Sequence, residues 1–225
     1  MNEFNYKFPG IFSKGQGKRT QLFTKNLIKG KKVYGEQLVN ENNIQYRNWN
    51  PERSKLAAAL LCRISQIGIK ENDTVLYLGA SSGTTASHIS DIVTEKGFIF
   101  ALDFAPRVVR DLYFVCKERK NITPLLESAN HPRDYAHLVS QVDVIYQDVA
   151  QRNQVEIFLK NCGFFLKKGG FGLVAIKARS IDVTKKPFVI YKEVRKELEK
   201  SITIVDYRVL EPYEKDHAIF IIKKK

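Results

Sequence analysis

Acidic residues are the first scarcity. Twenty-four Asp and Glu stand against thirty-seven Lys and Arg, a net charge of +13 over 225 residues. Such an excess points to an anionic partner, of which nucleic acid is the commonest, although a lysine-rich proteome gives its proteins the same bias. Cysteine is scarcer still. Cys62, Cys116 and Cys162 lie far apart without a Cys-x-x-Cys pair, which argues against a disulfide framework or a thiolate zinc site and fits a reducing cytoplasm. Each sits in an apolar stretch, as a small buried hydrophobe would. No apolar run has the length of a membrane span, and none follows a basic start at the N-terminus, so neither an anchor nor a secretory signal is expected. Metal-ligand spacing, a Gly-x-Ser-x-Gly elbow, a Walker loop and an Arg-Gly tract are all absent. The expectation is a soluble cytoplasmic protein, and its 44% hydrophobic content supplies one domain with a sizeable core.

What is present divides at about residue 48. Residues 1–48 are rich in Gly, Lys, Asn and aromatics, and residues 1–50 hold nine Lys/Arg against three Asp/Glu, a net of +6. Short apolar segments at 4–8, 19–24 and 31–38, punctuated by Pro9-Gly10, Gly15 to Gly17 and Gly30, predict strands in hairpins. Their aromatics (Phe4, Tyr6, Phe8, Phe12, Phe23, Tyr34) either stack on bases or form the small core that such a subdomain needs. Residues 49–225 alternate. Helices are predicted over 51–67, 86–94, 106–117, 155–165 and 188–200, and apolar strands over 74–78, 98–102, 122–126, 142–146 and 172–176. Strands at 201–210 and 217–223 close the chain with no room for a helix between them. The pattern predicts an α/β fold with a mainly parallel sheet covered on both faces and one antiparallel strand at an edge.

In open α/β sheets ligands sit beyond the carboxyl ends of the strands, where strand order reverses. Four such positions carry chemistry. Gly79-Ala-Ser-Ser-Gly83-Thr-Thr lets backbone approach a ligand at a helix N-terminus, yet its Gly-x-x-x-Gly spacing is not a dinucleotide fingerprint. Asp103, twenty residues after Gly83, either accepts both hydroxyls of an adenosine ribose or caps the helix that begins at Pro106. Asp148 follows the fourth apolar strand and Lys177 ends the fifth, where the pair could be catalytic or the Lys a surface residue. His88 and His137 are expected on helices and His131 in a His-Pro turn, all in ordinary structural roles. His217 opens the last strand and is weighed with the site.

These segments together resemble fibrillarin in its short archaeal form, from about Phe4 to Lys223. The resemblance is carried by Tyr46-Arg-Asn-Trp-Asn-Pro-Glu-Arg-Ser-Lys55-Leu-Ala-Ala, Tyr77-Leu-Gly-Ala-Ser-Ser-Gly-Thr-Thr-Ala-Ser-His88, Asp103-Phe-Ala-Pro-Arg107, His131-Pro132, Tyr146-Gln-Asp-Val-Ala-Gln151, Ala175-Ile-Lys-Ala-Arg-Ser-Ile-Asp182 and Glu211-Pro-Tyr-Glu-Lys-Asp-His217. It implies a Rossmann-like, class I S-adenosylmethionine-dependent methyltransferase sheet of seven strands, the last antiparallel, behind a small N-terminal β-rich subdomain. The implied activity is 2′-O-methylation of ribose in rRNA, and in archaea tRNA, directed by box C/D guide RNA. The implied partners are a Nop-family scaffold protein and a kink-turn-binding ribosomal-type protein. The family's Lys-Asp-Lys-His tetrad falls on Lys55, Asp148, Lys177 and His217, with no metal. S-adenosyl-L-methionine contacts fall on Gly79, Ala80, Thr84, Thr85, Asp103, Phe104, Ser128, Ala129, Asp148, Val149, Ala150 and Gln151. Two positions depart from the family pattern: Asp103 stands where Glu is usual, and Ser128 where Asp is usual. The shorter carboxylate still reaches a ribose, whereas a Ser hydroxyl accepts more weakly than a carboxylate.

Two other readings compete. A dinucleotide oxidoreductase shares the Gly-rich loop and the carboxylate after the second strand, but its fingerprint is missing. A non-catalytic RNA-binding subunit could keep the fold, and the presence of all four tetrad matches argues against it.

Overall fold

The computed structural model describes residues 5–225, so Phe4 lies outside the described residues. β1 (Asn5–Phe8), β2 (Ile11–Lys14), β3 (Gln21–Lys25), β4 (Leu38–Glu41) and β5 (Ile44–Trp49) form an antiparallel sheet in the order β1-β2-β3-β5-β4. Residues 31–37, part of a predicted strand, are loop. The Glu36 carboxylate takes the N–H groups of Val33 and Tyr34 at 2.9–3.1 Å and so supplies the partners a strand would have offered. β5 has no counterpart in the hydropathy pattern, because Arg47 and Asn48 interrupt its apolar run. Phe23 is buried and Phe12 meets Tyr46 edge-on, which are core roles rather than exposed stacking platforms.

The predicted helix over 51–67 is broken in two. A 3-10 turn at Pro51–Arg53 is followed by an extended Ser54, whose Oγ accepts the Ala57 N–H at 3.4 Å and starts α1 (Lys55–Leu61). Arg63 then adopts φ 61°, which ends the helical path. Ile64 and Ile67 are buried all the same, so their spacing recorded burial and not a helix.

The large sheet contains β6 (Thr74–Leu78), β7 (Phe98–Asp103), β8 (Ile122–Leu126), β9 (Val142–Gln147), β10 (Leu166–Lys177), β11 (Thr203–Val209) and β12 (His217–Lys223). Its order is β11-β12-β10-β9-β6-β7-β8. β12 is antiparallel to both neighbours and lies between β10 and β11, so the antiparallel strand is one place in from the edge that the sequence predicts. Only there can it pair with β10 and with the β11 strand that precedes it. The helices are α2 (Thr84–Val93), α3 (Pro106–Glu118), α4 (Gln154–Phe165), the short α5 (Ala178–Ile181) and α6 (Pro187–Glu199). His88 is helical as expected, whereas His137 lies in a run of turns.

Alternation along the strands builds two cores. Val75, Tyr77, Val144 and Tyr146 face one side with α1, α2 and the small sheet's Ile11, Leu22 and Trp49. Leu76, Leu78, Ile145 and Val174 face the other, against α4 and α6. The small sheet thus shares a core with the large one. Burial pushes the Cys116 and Cys162 thiols up to about 12, in keeping with hydrophobic filler.

A buried polar network reinforces that joint. Arg47, 0% exposed, donates to Glu36 at 2.6–2.7 Å, to Asp91 at 2.8 Å and to the Ser87 hydroxyl at 2.8 Å. Asp91 also takes Arg119 at 2.7 Å, the Thr24 hydroxyl at 2.7 Å and the Leu27 N–H at 3.0 Å. His88 stacks on Trp49, with Thr24 Oγ1 on one ring nitrogen and Tyr34 Oη on the other, both at 2.7 Å. The Thr24 proton goes to Asp91, so His88 Nδ1 donates to Thr24 Oγ1, while the Tyr34 hydroxyl has two acceptors for its one proton, His88 Nε2 and the Asn48 carbonyl at 2.9 Å.

Burial, with Arg47 and Arg119 nearby, holds the His88 pKa well below its usual value. Below about pH 6.5 the unfolded histidine binds a proton that the folded one refuses, so stability is complete above that pH and is lost below it. The slope is about 1.4 kcal/mol per pH unit for each such histidine. His217, also lowered, adds to the effect. Urea unfolding at pH 8, 7, 6 and 5 should give a midpoint that falls below pH 7; a flat profile would contradict the neutral His88.

Candidate active site

Strand order reverses between β6 and β9, and three of the marked positions meet beyond their carboxyl ends. Gly79 follows β6 at φ +82°, where a Cβ would lie 2.4 Å from the Asp148 carbonyl oxygen. Only glycine lets the chain pass that close. The Gly79 and Ala80 N–H groups both donate to Leu102 O, at 2.8 and 3.0 Å, which pins the loop to β7. Gly83 at φ +93° then starts α2 without a side-chain cap.

Asp103 ends β7 with its carboxylate already oriented. Oδ2 accepts the Ser81 N–H at 2.9 Å and Oδ1 the Ala105 N–H at 3.1 Å, and each oxygen keeps a further lone pair. The N-cap of α3 is Ala105, so the capping alternative does not describe this residue.

Between these elements lies a cavity of about 280 Å³. Gly79, Asp103, Phe104, Ala129, Asp148, Val149, Ala150 and Gln151 line it, as do Ser81 and Leu102, which sequence reasoning missed. Phe104 is 66% exposed at its mouth. Gln151 is tied through Asn130 at 2.8 Å to the loop that carries Ala129. The other expected contacts lie outside this wall. Ala80 is buried, Ser128 Oγ accepts the Asn130 N–H at 3.4 Å, and Thr85 Oγ1 donates to the Ser54 cap at 3.0 Å. Thr84 lines a separate concavity with Tyr34, Arg53 and Phe114.

Asp148 belongs both to the cavity and to a charged cluster. Lys55, the first residue of α1, reaches both its oxygens at 2.9 Å. His217 Nδ1 bonds the Lys215 carbonyl at 2.6 Å. Burial, helped by the Lys55 charge, holds the His217 pKa below its usual value against that bond and the Glu214 and Asp148 charges. Lys177 stands opposite His217 in the β10–β12 register, with an exposed side chain; the Asp148 ion pair is with Lys55 instead. Among the described residues no group of three His, Cys, Asp or Glu is placed to hold a metal ion, and no helix is long and apolar enough to cross a membrane.

A parallel sheet with an antiparallel strand inserted at the C-terminal end, and a crevice between the Gly-rich turn and a carboxylate after the second strand, defines the fold of the S-adenosylmethionine-dependent methyltransferases. Within that class the sequence model of fibrillarin matches residues 3–225, and the chain belongs to the fibrillarin family. A fibrillarin-like rRNA/tRNA 2′-O-methyltransferase from Thermococcus sibiricus is 49% identical over 225 residues, 100% of both chains. Among solved structures, Aeropyrum pernix fibrillarin in complex with natively bound S-adenosyl-L-methionine superposes with a TM-score of 0.88 at 45% identity, covering 99% of this chain and 100% of that one. A fibrillarin/Nop5p complex gives a TM-score of 0.82 at 43% identity, covering 91% and 94%.

Proposed function

We propose that this chain is the catalytic subunit of a box C/D ribonucleoprotein that methylates ribose 2′-hydroxyls in rRNA and tRNA with S-adenosyl-L-methionine. One observation carries the reading: Asp148 lines the cavity and at the same time forms the ion pair with Lys55. Cofactor and substrate chemistry therefore meet at one carboxylate. The cavity suits the cofactor, since Gly79 leaves backbone where a Cβ would intrude and Asp103 presents oriented acceptors of the kind a ribose needs. When bound, the cofactor supplies an electrophilic methyl group.

The chain's own residues do the rest. Asp103 would hold the ribose hydroxyls, Phe104 and Ala129 the adenine, and the segment Asp148 to Gln151 the cofactor's other face. A ribose 2′-hydroxyl is a weak nucleophile, so the site must orient it and assist loss of its proton. Asp148 accepts the hydroxyl's hydrogen and so orients it, and the Lys177 ammonium stabilises the negative charge on the oxygen as the proton passes by way of that carboxylate to solvent, with Lys55 and His217 holding Asp148 and the RNA in place. The net charge of +13 provides salt-sensitive contact to RNA, while the guide supplies sequence choice by base pairing. We further infer a Nop-family scaffold and a kink-turn-binding protein as partners. The three unbridged cysteines favour a reducing, cytoplasmic setting.

The test is reconstitution with guide RNA, target RNA, both partner proteins and radiolabelled cofactor, followed by mapping of the labelled nucleotide. Label at the guided ribose, absent without guide, supports the reading; no transfer in the complete particle refutes it. Asp103→Ala separately tests the crevice. Loss of hydrogen bonds to a fixed carboxylate should weaken cofactor binding by about 1.5–3 kcal/mol in calorimetry, and unchanged affinity would move the site elsewhere.

A further inference from the structure

The backbone of Lys177 is held by a residue that no motif singled out. Lys177 faces His217 on β12, yet the N–H that bonds across to the 216–217 side is that of Ala178, which donates to Asp216 O at 3.0 Å. Residues alternate in an antiparallel ladder, so the N–H and C=O of Lys177 turn the other way, toward β9. β9 has no strand left to receive them. Its register with β10 ends at Val174 opposite Gln147, and the Asp148 N–H faces the other neighbour, β6, donating to Leu78 O at 2.9 Å.

Gln154 fills the gap. It is the first residue of α4 and is 0% exposed. Lys177 N donates to Gln154 Oε1 at 3.0 Å, and Gln154 Nε2 donates back to Lys177 O at 3.2 Å. Gln147, next to Asp148 in the chain, donates from Nε2 to the Gln154 carbonyl at 2.7 Å. Two buried amides thus run from the end of β9 to the end of β10, and from the neighbour of Asp148 to Lys177. A carboxamide offers a donor and an acceptor in one plane, as a peptide group does, so it stands in for the missing strand.

We propose that Gln154 is a positioning residue for methyl transfer, setting the place of Lys177 relative to Asp148. The proposal rests on the catalytic reading of Lys177 given above. Gln154→Leu removes both bonds. Gln154→Glu keeps the shape but, when ionised, loses the donor to Lys177 O.

Both variants are measured in the reconstituted particle under single turnover, in the wild-type background and in a Lys177→Ala background, with cofactor affinity followed by calorimetry. In the wild-type background Gln154→Leu should slow transfer on the order of 10- to 100-fold, the scale of a small misplacement of a reacting group, with Gln154→Glu between it and wild type. Cofactor affinity should stay within about twofold, and in the Lys177→Ala background neither change should cost more than about twofold further, because both act through the same group. A merely structural residue would instead multiply its loss onto that of Lys177→Ala, and that result overturns the proposal. So does a wild-type rate in both variants. If Gln154→Leu fails to fold, the isosteric Gln154→Glu decides alone by the same criteria. A wild-type rate in Lys177→Ala itself overturns the parent reading and this proposal together, and is recognised by that single variant.

Discussion

Lys177→Ala is expected to slow single-turnover methylation of guided RNA by a factor on the order of 10²–10³, the usual scale for a preorganised group that stabilises developing charge. Cofactor affinity should stay at the wild-type value, because Lys177 is not part of the cavity wall that includes Asp103 and Asp148. Its place at the end of β10, opposite His217 and with an exposed side chain, leaves the ammonium available to a substrate arriving from outside. Asp148→Ala should cost as much, but it also removes part of the cavity and the partner of Lys55, so its loss divides between binding and chemistry. Lys55→Ala and His217→Ala should have smaller effects if these residues only orient. A near-wild-type rate for Lys177→Ala would make Lys177 a solvated strand-end residue and leave fold and crevice standing.

The second large effect is on stability. Arg47→Met is expected to lower the unfolding free energy by about 3–5 kcal/mol, the cost of removing one partner from a buried ion pair. Glu36 and Asp91 would remain buried, Glu36 without its guanidinium and Asp91 with one cation, Arg119, where it had two. Burial raises the Glu36 pKa, and Arg47 with the backbone N–H groups of Tyr34 and Val33 outweighs it, holding the carboxyl below its usual range. Arg47→Lys should restore little, since one ammonium cannot fork between two carboxylates and a hydroxyl. Lys167→Ala, which breaks the half-exposed pair with Asp143, serves as the contrast and should leave stability near wild type. Equal urea midpoints for Arg47→Met and wild type would show that the network contributes nothing to folding.

Legibility in the sequence followed the range of the interactions. β6, β7 and β8 are short apolar runs bounded by turn residues, and α3 opens on Pro106, so local signals placed them. Gly79, Gly83 and Asp103 were legible because a close backbone approach and a strand-end carboxylate each demand a residue type. β5 was not, since Arg47 looks solvated until its partner Asp91, 44 residues on, is known. His88 read as an ordinary helical residue for the same reason: its partner Thr24 is 64 residues away. The Lys55–Asp148 pair spans 93 residues, and only the family resemblance put the two names side by side. Ser81, Leu102 and Gln154 carried no signal of type, being set by where the chain happens to turn.

Phe104, two-thirds bare at the mouth of the crevice, has a consequence for the order of events. The described residues leave the rim of the proposed cofactor site bare, and Lys177 stands at the same carboxyl edge of the sheet. Water leaves such a site only when something large is laid across it. In the proposed particle the RNA duplex would then be more than the object being marked: it would be the missing wall of the reaction chamber. Short single-stranded fragments that carry the right ribose but cannot cover the opening should enter and depart unmethylated.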